Sequence, residues 1–246
     1  MIALTRTTVT QARQVAAALE NSTDPQAQRL AQQFGEFIPL VEQAIEQTVR
    51  RVLNRESVPA TAKVVSLFEP HTQIICRGKA PPHETEFGHK VNYAEADGGF
   101  IVDWTIVAHG NPPDDTLLPS ALRHHLKLFG HAPEILAGDR GLFSPENEDL
   151  ARRLGIKRIA IPQPGHRTPQ RQTHEKQKWF KKGQRFRNGI EGRISVVRRT
   201  VQLTRCPNHR LSGLERWVGW GIIVANLVVM ARKLRKRRRG AHRQAK

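Results

Sequence analysis

The sequence predicts an α/β chain: a mixed sheet flanked by helices, with a helical segment ahead of it and a basic helical region behind. Three observations carry that reading. Residues 3 to 55 place apolar side chains at steps of three and four, the repeat of an amphipathic helix. From Pro59 onward β-rich runs come first in succession and then alternate with helical runs, the order expected of a sheet covered by helices. The charge is divided: residues 1 to 150 hold 13 basic and 19 acidic residues, and residues 151 to 246 hold 27 Lys plus Arg against only Glu175, Glu191 and Glu215.

Taken in order, the first segment reads as two or three helices broken near "NSTDP". "KVVSLFE" (63 to 69), "GHKVNYAEAD" (88 to 97) and "GGFIVDWTIVAHG" (98 to 110) read as strands. "PPDDTLLPSALRHHLKLFG" reads as a helix begun by Asp114 or Asp115 and ended by Gly130. A short strand "PEILAGD" follows, then a helix "SPENEDLARRLG" capped by Ser144, then a strand "IKRIAIP". Beyond about residue 163 the chain turns polar and basic, and helix is expected from about 174 to 204 and again from 213.

At 246 residues the chain can bury a sizeable core, and 38% hydrophobic with 25% charged residues is a globular composition. The concentration of base in the C-terminal part points to a polyanionic partner. Cys76 and Cys206 stand far apart without ligand-like neighbours, so neither a disulfide framework nor a zinc site is expected, and a reducing cytoplasm fits. The apolar run "WVGWGIIVANLVVMA" (217 to 231) contains Asn226 and is short against the ~20 residues that usually span a bilayer, so a buried core helix is expected and a membrane is not.

Two carboxylates stand out. Asp139 ends the strand "EILAGD", and open α/β sheets place ligands outside such strand ends; a turn Asp before glycine is the other reading. Glu191 lies in "FRNGIEGRISVVRRT", where Arg187, Glu191, Ile194 and Arg198 share one face of a helix. A solvated salt-bridge ladder would alternate signs, whereas here one acid sits among bases. Acids on a sheet, another on a later helix and a basic surround are what metal-assisted phosphodiester chemistry needs: oxygen ligands for two hard cations ~4 Å apart, and arginines for the backbone.

With these residues in view, the chain resembles the DDE transposases of bacterial insertion sequences. The resemblance runs from about Val58 to Leu234 and rests on "KVVSLFEPHTQII", "EFGHKV", "GNPPDDTLL", "ILAGDRGLFSPEN", "GIKRIAIP", "FRNGIEGRISVVRR" and "WVGWGIIVANLVVMAR". It implies an RNase H-like fold in which two sheet acids and one late-helix Glu bind Mg2+, with Mn2+ as a substitute. The family's late-helix signature is Tyr, two residues, Arg, three residues, Glu, six residues, Lys. Gln184, Arg187, Glu191 and Arg198 stand at that spacing, so Gln replaces Tyr and Arg replaces Lys. Asp139 matches the second acid. The first falls at Glu69, where the family has Asp; Asp103, which an alternating strand would turn to solvent, and a lost acid at Gln73 are the alternatives. Arg187, Arg193, Arg198, Arg199, Lys181 and Lys182 are then expected on double-stranded DNA, at element ends and target, with a homodimer assembled on it.

Other residues have plainer readings. His89 is taken as a strand-edge residue, His124 and His125 as solvated, Asp115 as a helix cap, Trp179 and Phe180 as packing, and "RKLRKRRRGAHRQAK" as a flexible DNA-contacting arm. The expected organisation is a helical segment 1–57, standing where the family carries a larger end-recognising domain, a catalytic domain 58–234 and a basic tail 235–246. The expected function is metal-dependent strand cleavage and strand transfer in transposition; the alternative is an inactive or truncated remnant that only binds DNA. A stand-alone nuclease of the same fold would cut without joining.

Overall fold

The computed structural model describes residues 1–76, 85–107, 112–200 and 205–244. The chain divides into two compact units, Met1–Lys90 and Val91–Val107 with Pro112–Lys246. It is a mixed helix-and-strand protein in which helix dominates.

In the first unit, α1 (Ile2–Glu20) and α2 (Pro25–Thr48) pack against each other as a helical hairpin. The break at "NSTDP" works by side-chain chemistry: Asp24 caps α2 by accepting from the Gln26 amide at 3.1 Å, and Pro25 occupies the first helical turn, where a missing N–H costs nothing. The expected strand at 63 to 69 is not formed. Residues 63 to 66 take no regular form and 67 to 69 bend; Val64 exchanges both its backbone bonds with the side-chain amide of Gln47, at 2.8 and 2.9 Å, so a helix side chain stands where a neighbouring strand would. The strands of this unit are β1 (Gln73–Cys76) and β2 (Thr85–Gly88), antiparallel, with Gln73 opposite Gly88.

The second unit takes up β3 (Lys90–Ala96), which pairs with β4 (Phe100–Val107). The end of the predicted strand beyond Val107 lies outside the described residues. A short 3₁₀ turn at Asp114–Leu117 leads into α3 (Leu118–Phe129), which stops at Gly130 with φ 73°, a left-handed position suited to glycine. Neither Asp114 nor Asp115 caps by its side chain, against expectation. Next come β5 (Ile135–Ala137), α4 (Pro145–Arg153), β6 (Arg158–Ala160), α5 (Pro169–Lys176), α6 (Lys178–Thr200) and α7 (Arg210–Gln244). Ser144 caps α4 as predicted, accepting from the Asn147 amide at 3.1 Å. β5 and β6 are parallel, Leu136 opposite Ile159, as a strand–helix–strand crossover requires.

Among the described residues the strands form three separate two-stranded pieces in place of one mixed sheet. The core of the second unit lies where α3 and α4 cover β6, with Leu118, Leu122, Ala151, Ile156, Ile159 and Ile161 buried together. Arg171 on α5 closes its edge, holding Glu148 at 2.5 Å, Glu175 at 3.0 Å and the Ile161 carbonyl at 2.7 Å. Burial pushes the Glu175 carboxyl up, but the Gln163 amide and then Arg171 and Arg167 outweigh it and hold it below the usual range. One of the three acids in the basic region therefore has a structural role.

Two further expectations change. α7 is not a buried core helix: Val218 and Ile222 are covered on the side facing β4, while Trp220 and Leu227 on the other side are more than half exposed. The basic tail does not leave the fold as a flexible arm, since α7 continues through it to Gln244; residues 245 and 246 lie outside the described residues, as do 201 to 204 of the predicted preceding helix.

Candidate functional site

Asp139 follows β5 and opens a 3₁₀ turn at Arg140–Leu142, its Oδ1 accepting from the Gly141 amide at 2.9 Å. Its position at the end of a parallel strand and its turn-capping role are both realised. The other oxygen, Oδ2, accepts from Arg187 Nη2 at 3.3 Å, and Arg187 Nη1 pairs with Glu191 Oε1 at 2.9 Å. The strand-end Asp and the helix Glu are thus separated by one guanidinium.

Helix α6 can reach the strand ends because two of its residues are fitted to them. Gly183 is buried, and a Cβ there would lie 2.7 Å from the Ala160 Cβ, so only glycine allows this approach to β6. Gln184 donates its side-chain amide to the carbonyls of Gly138 and Ala160, at 3.0 and 2.5 Å, tying the ends of β5 and β6 together. A tyrosine could not make both bonds, so glutamine has a structural use here.

A second carboxylate stands near Asp139 that the sequence reading took only as a helix start. A Cβ on Gly141 would meet Asp114 Oδ2 at 3.0 Å and Asp139 Oδ1 at 3.2 Å, so the two acids flank this glycine. The signal was "PPDDT" ahead of "AGDRG", but nothing in the spacing says that the two turns meet.

The other predicted residues have partners of their own. Asp103 is buried on β4, at 9% exposure, and pairs with His124 on α3 at 2.5 Å; it does not face solvent, and His124 is not simply solvated. His125 is held below its usual value by burial and then by His131. Glu69 belongs to the first unit, where its carboxylate accepts from His71 at 2.8 Å, and His71 meets His89 at 2.7 Å through its other nitrogen. His89 therefore has a second histidine beside it. Gln73 opens β1.

The basic residues divide into two groups. Arg187 is engaged as described, and Arg193 is bound to Glu95 of β3 at 2.5 Å, with the Glu95 side chain only 2% exposed. Neither is a freely presented DNA contact. Lys181, Lys182, Arg198 and Arg199 are exposed along α6. Trp179 and Phe180 pack as expected, Phe180 buried and both rings set edge-on to His174.

Oxygen-only donors suit Mg2+, and Asp114, Asp139 and Glu191 supply them. As they stand, no group of three His, Cys, Asp or Glu among the described residues is gathered closely enough to hold an ion. Glu191 is 67% exposed and makes the ordinary one-turn pair with Arg187, so its ladder role is realised too. The class of protein defined so far is a basic α/β protein with Asp114 and Asp139 flanking Gly141 beyond a parallel strand pair. Comparison with family models, curated proteins and solved structures gave no match for this chain.

Proposed function

We propose that this chain acts on DNA as a DDE-type recombinase of RNase H-like kind, using the acids around Asp139 for strand cleavage and strand transfer. The observation that carries the reading is the sharing of Arg187 between Asp139 at the β5 end and Glu191 on α6, beside an exposed row of bases. Bound Mg2+ would supply activation of the attacking oxygen and charge relief at the leaving one. Asp139 and Glu191 would hold it, with Asp114 as a third acid on the same side of the unit.

The chain's own groups then have defined tasks. Arg187 balances the two carboxylates in the free protein, and a phosphate arriving from DNA competes with them for its guanidinium. Releasing Arg187 to the phosphate frees Asp139 Oδ2 and Glu191 Oε1 together. Lys181, Lys182, Arg198 and Arg199 hold the backbone without reading sequence. Gln184 and Gly183 keep α6 against the strand ends, so the acids stay in register while the arginine changes partner.

The test is nicking of supercoiled plasmid, and joining of labelled duplex ends, in Mg2+ or Mn2+ by the full chain and by Asp139→Asn, Glu191→Gln, Asp114→Asn and Glu69→Gln. Loss of cutting with retained binding in the Asp139 and Glu191 variants supports the proposal. Loss in the Glu69 variant would assign it the first acid position, and loss in the Asp114 variant would assign it there instead. A parent that binds duplex but cuts with neither ion rejects the recombinase in favour of a DNA-binding remnant. Cutting without joining indicates a nuclease.

A further inference from the structure

Helix α7 has two apolar sides. One is used within its own unit: Val218 and Ile222 are buried, Gly219 lies against the Trp104 ring, Asn226 bonds to Ile101, and Lys233 sits 4.6 Å from the Phe100 ring centre. The other carries Trp220, Ile223, Leu227, Met230 and Leu234, exposed at 66, 50, 55, 49 and 53%, with Val224 alongside. Their steps are three, four, three, four, the a and d positions of a heptad repeat. That spacing matters because apolar residues scattered singly on a surface need no partner, whereas an unbroken seam does.

We propose that this seam pairs with the same seam of a second copy, in antiparallel orientation, in the absence of DNA. Three features fix the occupant. The exposed side chains offer roughly 600–700 Å² per copy, and two copies together clear the ~1,000 Å² that a specific interface needs. Between Trp217 and Ala231 the helix has no charged residue, but beyond it come Arg232, Lys233, Arg235, Lys236, Arg237 and Arg238. Parallel pairing would set these two clusters side by side, while antiparallel pairing sends them to opposite ends. The residues also match under that symmetry, a against d: Leu227 faces Met230 on either side of the two-fold axis, and Ile223 faces Leu234.

By length and composition α7 could also cross a bilayer. Crossing would pull it from β4 and break both Asn226–Ile101 bonds, whereas pairing leaves them in place. Pairing therefore uses the exposed side without undoing the buried one. It does not depend on whether the acids near Asp139 hold a metal.

The experiment is sedimentation of the full chain, DNA-free and at high salt, over a range of concentrations. The parent should be a dimer. Leu227→Glu and Leu227→Lys should each weaken it by about 100-fold or more, because like charges would be buried close together on either side of the axis. An equimolar mixture of the two should dimerise again, a recovery that damage to the fold cannot give. In a Cys76→Ser, Cys206→Ser background, Ile223→Cys of one copy should cross-link under mild oxidation to Leu234→Cys of another. A monomeric parent, no recovery in the mixture, or Ile223→Cys cross-linking only to its own kind overturns the proposal. So does a monomer that floats with anionic vesicles through Leu227.

Discussion

Replacing Gly183 by alanine should destabilise the chain, and replacing Gly192 on the same helix should stabilise it. Both positions lie inside α6, where alanine is favoured over glycine by about 1 kcal/mol. At Gly192 nothing lies within 4 Å of the added methyl group, so the whole helix gain is kept. At Gly183 the methyl would lie 2.7 Å from the Ala160 Cβ and 3.6 Å from the Ala137 Cβ. Two methyl carbons want ~3.5–4.0 Å, so the helix must back away by close to an ångström. Such overpacking costs about 1–3 kcal/mol, which cancels or exceeds the helix gain. The two variants should therefore differ by roughly 1–3 kcal/mol, or several degrees in Tm, in urea or thermal unfolding. Adding Ala160→Gly to Gly183→Ala removes the collision and should recover most of the difference. Equal stabilisation by both single substitutions would refute the close approach of α6 to the strand ends, and with it the positioning of Arg187 and Glu191.

Three other outcomes are expected. Lys181→Ala and Lys182→Ala should each reduce the slope of log affinity against log salt for duplex DNA by about 0.9, measured by anisotropy titration; an unchanged slope removes them from the interface. Because Glu175 is held below the ordinary carboxyl value near ~4.3, the unfolded chain takes the proton first. Its contribution is complete above that value and is lost as pH falls through the lower folded one, so Glu175→Gln should flatten the acid limb of a stability–pH profile. Arg193→Met should cost about 3 kcal/mol or more in urea unfolding, since it strands Glu95 with 2% exposure, and adding Glu95→Gln should return much of the loss.

The elements easiest to read from sequence were those closed by local chemistry. Asp24 and Pro25 start α2, Ser144 starts α4, Gly130 ends α3, and Asp139 closes β5, each by contacts within a few residues. What escaped depended on distant partners. "KVVSLFE" has strand composition, but Gln47 meets its backbone before a strand can. Asp103 alternates like a solvent-facing residue, yet His124 draws it inward. Asp114 approaches Asp139 only because two short turns come together, and Arg193 turns to Glu95 although by spacing it belongs with the other bases of α6. Sharing of Arg187 by Asp139 and Glu191 was half legible: the helix pair follows from one-turn spacing, and the strand partner does not.

Three carboxamides do work in this chain that strands usually do for one another. Gln47 brackets Val64, Asn226 brackets Ile101 through N–H and C=O at 3.0 and 2.9 Å, and Gln184 joins Gly138 to Ala160. All three fasteners are neutral. In a protein of net charge +18, ionic contacts weaken in concentrated salt, but an amide paired with a peptide group is indifferent to counterions. These three fastenings therefore hold at ionic strengths that loosen the chain's ion pairs.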